Sequence, residues 1–114
     1  MRRSNAVTYF EIPVINMERA INFYKIVFDF KIEREIIDGY EMGFIHFDDN
    51  LEGIAGSLAK GDIYRPTKSG VILYFHTNDI DFTLQKAIGL GTEILLPKIV
   101  NSNLGFAIAE ISDS

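Results

Sequence analysis

The sequence predicts an α+β protein built from two copies of one pattern, strand–helix–strand–strand–strand, with the second copy incomplete. Three observations predict it. Short stretches of period-two alternation mark strands in both halves of the chain. Two segments carry apolar residues at three-four spacing, each placed just after the first strand of its half. The two strand-to-helix junctions also superpose at a fixed offset of 63 residues: Asn16 falls on Asp79, Met17 on Ile80, Ile21 on Leu84 and Tyr24 on Ala87. Two amphipathic helices on one face of a mostly antiparallel sheet give this class.

The first strand spans residues 7–14, with Phe10, Ile12 and Val14 toward the core and Tyr9, Glu11 and Pro13 on the opposite face. Pro13 marks a strand end or an unpaired edge, because it has no amide hydrogen for a ladder. A helix follows over 17–28, with Met17, Ala20, Ile21, Tyr24, Val27 and Phe28 as its apolar stripe. Asn16 is its predicted N-cap. Asp29 ends it, since Asp tolerates the left-handed backbone better than most residues. Strands are expected at 30–36, 40–47 and 51–58, with Asp38-Gly39 and Asp48-Asp49-Asn50 as turns. Residues 61–70 are polar and punctuated, and read as a linker. The pattern then restarts. Residues 71–76 read as a strand, Asn78 as a cap, and Ile80, Leu84, Ala87 and Ile88 as a second helical stripe ended by Gly89 and Gly91. Residues 92–96 and 105–111 are the last expected strands, separated by a loop containing Pro97 and Asn101-Ser102-Asn103. The chain thus reads as a single domain, 1–114, with module one at about 5–60 and an incomplete module two from about 71. Ile111-Ser112-Asp113-Ser114 looks like the turn before a final strand that is absent, as if a terminal strand had been lost.

Composition narrows the function. At 114 residues, 47% hydrophobic and 24% charged, the chain can bury a core unaided, which argues against disorder. It has no cysteine, so disulfides, thiolate metal sites and thiol nucleophiles are excluded. The net charge is −5 and the basic residues are scattered, a poor basis for phosphate contacts. No nucleic-acid partner is expected. No apolar run approaches the roughly 20 residues of a membrane span, and the basic start lacks the apolar run of a secretion signal. A cytoplasmic protein with no membrane partner is expected.

The run Phe10-Glu11-Ile12-Pro13-Val14, leading into Glu18-Arg19-Ala20-Ile21-Asn22-Phe23-Tyr24-Lys25-Ile26-Val27-Phe28, resembles the opening of the vicinal oxygen chelate superfamily. That superfamily comprises glyoxalase, bleomycin-resistance and extradiol-dioxygenase proteins. Asp29 stands where the family usually has glycine. Leu73 to Asp81, Gly89-Leu90-Gly91 with Glu93 to Pro97, and Gly105-Phe106-Ala107 resemble the family's second module. The resemblance implies paired βαβββ modules forming a cup with helices outside, often as a homodimer. It also implies metal ligands, usually His or Glu, on the first and last strand of each module. Here those positions fall on Tyr9, Ser57 and Ile72, and a fourth lies past Ser114. Ile has no donor atom, and the set does not suit a divalent cation. No metal and no cofactor are therefore expected.

The face left to line the cup carries the candidate ligand-binding residues Tyr9, Glu11, His46, Ser57, Tyr74 and His76. Glu11 and His76 are the catalytic candidates: a partly desolvated carboxylate suits base chemistry, and histidine titrates near neutrality. Each has a bland alternative, as a solvated strand carboxylate and an exposed strand-end histidine. For His46 the surface reading is the stronger one. Ser57 has no evident His–Asp partnership, and the glycines match no phosphate loop. The expected function is small-molecule binding in an apolar cup without the family's usual metal. The alternative is a metal-dependent lyase, isomerase or dioxygenase, so whether the chain is an enzyme stays open.

Overall fold

The computed structural model describes residues 6–48, 50 and 53–113. The predicted start at 1–5, Asp49 of the predicted turn, the first two residues of the strand expected at 51–58, and Ser114 lie outside the described residues. The elements are β1 (Tyr9–Pro13), α1 (Met17–Phe28), β2 (Ile32–Ile37), β3 (Tyr40–Ile45), β4 (Ala55–Lys60), α2 (Ile80–Gly89), β5 (Ile94–Asn101) and β6 (Phe106–Ile111). They fall into two compact units. Unit 1 runs to Ile21 and resumes over Phe30–Pro66; unit 2 comprises Asn22–Asp29 and the chain from Thr67. This is the α+β class the sequence predicts.

Unit 1 holds a four-stranded sheet in the order β1-β4-β3-β2. β4 is central, parallel to β1 and antiparallel to β3. β1 is an edge strand that ends at Pro13, where the missing amide hydrogen costs least. The β2–β3 connection is two residues long, and both Asp38 (φ 52°) and Gly39 (φ 83°) have positive φ. This is the type I′ geometry whose twist matches a hairpin. The core of the unit gathers Val14, Met17, Ala20, Met42, Leu58 and Ala59.

The helix ends follow the sequence closely. Asn16 Oδ1 accepts from the Arg19 amide at 3.0 Å, so the predicted N-cap stands. Asp29 takes φ 60° and ends α1 in the left-handed region. That turn delays the next strand, which begins at Ile32 instead of residue 30. β3 stops at Ile45, and β4 starts at Ala55 but runs on to Lys60.

In unit 2, Phe23, Tyr24 and Val27 of α1 are buried, as are Thr83 and Ala87 of α2. Four expectations are corrected here. The cap of α2 is Asp79, whose carboxylate accepts from the Phe82 amide at 3.0 Å, and not Asn78. The repeat offset had already paired Asp79 with the first cap, Asn16. Ile88, assigned to the buried stripe, is 56% exposed, whereas Ala87 of the same predicted stripe is buried. Pro97 lies inside β5 and not in a loop, because among the described residues β5 is paired on one side only and shifts register between Ile94 and Leu96 and again between Leu96 and Ile99. Residues 71–76 belong to no strand. In unit 1 the corresponding β1 pairs only with β4, and among the described residues unit 2 has no strand in the place of β4. Alternation supplies the side chains for a strand, but a strand also needs a backbone partner. No helix among the described residues is long and apolar enough to cross a membrane.

Candidate functional site

Parallel pairing of β1 with β4 sets Tyr9, Glu11 and Pro13 opposite Ala55, Ser57 and Ala59. Alternation then puts these side chains on one sheet face. Ser57 is fully buried, and its hydroxyl shares a 2.5 Å hydrogen bond with the Tyr9 hydroxyl. Burial of a polar group is tolerable when it is bonded in this way. Glu11, the Cα partner of Ser57, is exposed, and its carboxylate lies near the Tyr64 hydroxyl. Desolvation, followed by the charge and hydrogen bond of Glu11, raises the Tyr64 hydroxyl above its ordinary value. The Tyr64 ring meets Tyr40 edge to face, with centroids 5.5 Å apart. Three candidates from the sequence, Tyr9, Glu11 and Ser57, therefore share one cluster.

Tyr64 and Tyr40 were not singled out in the sequence. Tyr64 sits in the polar stretch read as a linker. Its one local signal is an aromatic among turn residues. The turn is closed by the Tyr64 amide on the Gly61 carbonyl at 3.1 Å. Gly61 is required there, since a Cβ would overlap the Tyr40 ring. Gly61→Ala is therefore expected to displace the Tyr40–Tyr64 pair and cost about 1 kcal/mol in overpacking. Unchanged aromatic ring-current shifts in that variant would contradict this placement.

A cleft of about 440 Å³ opens at the end of this sheet, lined by residues that include Val14, Glu41, Lys60, Asp62 and Tyr64. Its polar wall is partly neutralised: Glu41 binds Lys60 and Arg34, each at 3.0 Å. The hydrogen bond from Lys60, then that from Arg34, lowers the Glu41 carboxyl. The cleft shares Tyr64 with the Glu11 cluster. His46, just past β3, is exposed, and its amide bonds the Lys31 carbonyl at 2.7 Å.

The remaining candidates belong to unit 2. Tyr74, 57% exposed, donates its hydroxyl to Glu110 of β6. That hydrogen bond is the main cause of the raised Tyr74 hydroxyl. His76 Nε2 lies 3.2 Å from Asn78 Oδ1, and the histidine is exposed. Glu110 went unnoticed in the sequence, because nothing local marks one carboxylate in an apolar strand as a tyrosine's partner.

The family resemblance implies metal ligands at Tyr9, Ser57 and Ile72. The Tyr9 and Ser57 hydroxyls satisfy each other, and Ile72 offers no donor. No group of three His, Asp or Glu suited to a metal occurs among the described residues. These residues do not fit a divalent cation.

A protein-family model described as the Glyoxalase/Bleomycin resistance protein/Dioxygenase superfamily matches residues 6–112. No curated protein matches the chain. Among solved structures, a glyoxalase I mutant from Zea mays is similar at TM-score 0.59 and 18% identity; the match covers 93% of this chain and 41% of the maize chain. This chain therefore spans less than half the length of that enzyme. An integron cassette protein from the mobile metagenome of V. cholerae is similar at TM-score 0.57 and 17% identity, over 99% of this chain and 88% of the other. A virulence protein from Salmonella typhimurium gives TM-score 0.53 and 13% identity, over 96% and 87%. At these identities the structures speak to the fold alone. The family match spans both units and nearly every described residue, and on that ground the chain belongs to the glyoxalase/bleomycin resistance protein/dioxygenase superfamily.

Proposed function

We propose that the protein binds a small organic molecule on unit 1, in the cleft at the end of the sheet and along the Tyr64 ring toward Glu11 and Tyr9. The observation that carries this reading is Tyr64. It lines the cleft, packs against Tyr40 and lies near the Glu11 carboxylate. Ligand pockets commonly combine such aromatic walls with a few polar groups in a volume of about 300–1,000 Å³. Glu11 is the acceptor for a ligand hydroxyl or amine, and Tyr9 and Tyr64 supply apolar contact. The metal-dependent lyase, isomerase or dioxygenase reading gains no support from the hydroxyls of Tyr9 and Ser57. A cytoplasmic homodimer is part of the same proposal and rests on the family resemblance; sedimentation of the purified protein tests the dimer.

The ligand test is a panel of small aromatic and hydroxylated compounds titrated into labelled protein and followed by amide chemical shifts. Shifts are expected to gather at residues 60–64 and 9–11. Tyr64→Ala is expected to weaken any such compound by about tenfold, the loss of an aromatic wall and a hydrogen-bond partner. Shifts confined to other segments, or affinity unchanged in Tyr64→Ala, would overturn the reading.

A further inference from the structure

We infer that the cleft of unit 1 selects an organic cation, an amine whose charged nitrogen lies against the Asp62 carboxylate and the Tyr64 ring. This rests on the small-molecule reading above and adds to it the sign of the ligand's charge. The charge balance of the cleft wall carries the inference. Two carboxylates, Glu41 and Asp62, and one ammonium, Lys60, line a space of about 440 Å³. The ammonium is engaged: Lys60 Nζ donates to Glu41 Oε2 at 3.0 Å, and Oε1 of the same carboxylate accepts from Arg34 at 3.0 Å. An anionic ligand would have to draw Lys60 away from a carboxylate that already holds it.

Asp62 is placed differently. Among the described residues no cation binds its carboxylate, and Arg65 reaches only its backbone carbonyl, at 3.5 Å. Asp62 stands in the turn that the Tyr64 amide closes on the Gly61 carbonyl, so one short turn puts both side chains into the cleft wall. The Glu11 carboxylate lies near the Tyr64 hydroxyl, and among the described residues no cation binds it either. The wall around Tyr64 is therefore negative wherever it is not already neutralised.

The rings favour the same ligand. Tyr64 and Tyr40 meet at 85°, edge to face, so each ring keeps at least one face clear of the other. The face of an aromatic ring is negative and attracts ammonium groups, and a carboxylate beside it adds to the attraction. A neutral ligand keeps only the apolar contact, and an anion meets Asp62 as a like charge. Val14 and Ile15 line the same cleft and receive the hydrocarbon part of the molecule.

The probes are three molecules of nearly one size: phenethylamine, phenethyl alcohol and phenylacetate. Each is titrated into the labelled full chain and followed by amide shifts at residues 60–64. The amine is expected to bind about tenfold more tightly than the alcohol, and phenylacetate more weakly than either. Added salt is expected to weaken the amine alone. Asp62→Asn is expected to weaken the amine about threefold and to leave the alcohol unchanged. Asp62 is exposed, so this variant folds. Glu33→Gln removes the same charge at the end of β2 away from Gly39, which lines the cleft, and is expected to change neither affinity. Equal affinity for amine and alcohol, tighter binding of phenylacetate, or an Asp62→Asn protein that binds the amine like its parent would each overturn the inference and leave the small-molecule reading standing. Equal weakening by Glu33→Gln would also overturn it, in favour of the chain's overall charge. If none of the three shifts residues 60–64 while another compound of the wider panel does, the charge inference alone falls. If no compound does, the small-molecule reading falls with it.

Discussion

Leu58→Ala is expected to lower the unfolding free energy by about 3 kcal/mol, read from urea denaturation midpoints at constant slope. Leu58 is fully buried in β4, the central strand of unit 1, with paired strands on both sides. A strand laddered on both sides cannot shift far into the space vacated, because its backbone is held by β1 and β3. Such a cavity retains most of its volume, which places the cost in the middle of the range for leucine truncation. Ile36→Ala, at a position 73% exposed, is the control and is expected to fall within about 0.5 kcal/mol of the parent. A loss below about 1 kcal/mol for Leu58→Ala would mean that β4 does not hold the core of its unit.

Raising the pH from about 10 to about 11.5 is expected to cost about 2 kcal/mol of stability through Tyr24 alone. Tyr24 is 4% exposed and its hydroxyl donates to Asp113 at 2.6 Å. Its ring packs on Phe28, with centroids 5.9 Å apart, and edge-on against Phe23 at 5.1 Å. Burial first, then the negative charge of Asp113, then the hydrogen bond raise this hydroxyl far above its ordinary value. The folded state therefore holds the proton more tightly than the unfolded state does. The stabilisation is complete below the unfolded tyrosine value near 10 and declines as pH rises toward the folded one. Tyr24→Phe removes this titration. Its unfolding free energy, about 1 kcal/mol lower at neutral pH for the lost hydrogen bond, is expected to fall less steeply above pH 10. Parallel profiles for the two proteins would show that Tyr24 is not the group responsible. Tyr64 and Tyr74 are present in both proteins, so their contributions cancel in the comparison.

Local chemistry explains which parts of the fold were legible in advance. Asn16 and Asp29 bound α1 through interactions within four residues, and Asp38-Gly39 sets its hairpin through its own backbone preferences. The offset of 63 was the better guide to the second helix than the nearest plausible cap. It aligned Asp79 with Asn16, while the local reading chose Asn78 one residue early. Pro97 misled in the opposite sense, because a proline ends a strand only where a ladder needs its donor, and among the described residues β5 has an open side and two register shifts.

The sequence alone determined the class of fold, the face the first strand turns inward, and the lack of a coherent metal-ligand set at Tyr9, Ser57 and Ile72. Those follow from periodicity, capping chemistry and donor atoms, all carried by individual residues. Only the tertiary structure decided that Tyr9 closes on a buried Ser57 and that Glu11 meets Tyr64. It also decided that Tyr74 reaches Glu110 and that residues 71–76 form no strand. Each of these depends on what lies beside a residue in space, 36 positions away for Tyr74 and 48 for Tyr9. A strand is a property of two backbones, and one segment's alternation cannot report whether the second is there.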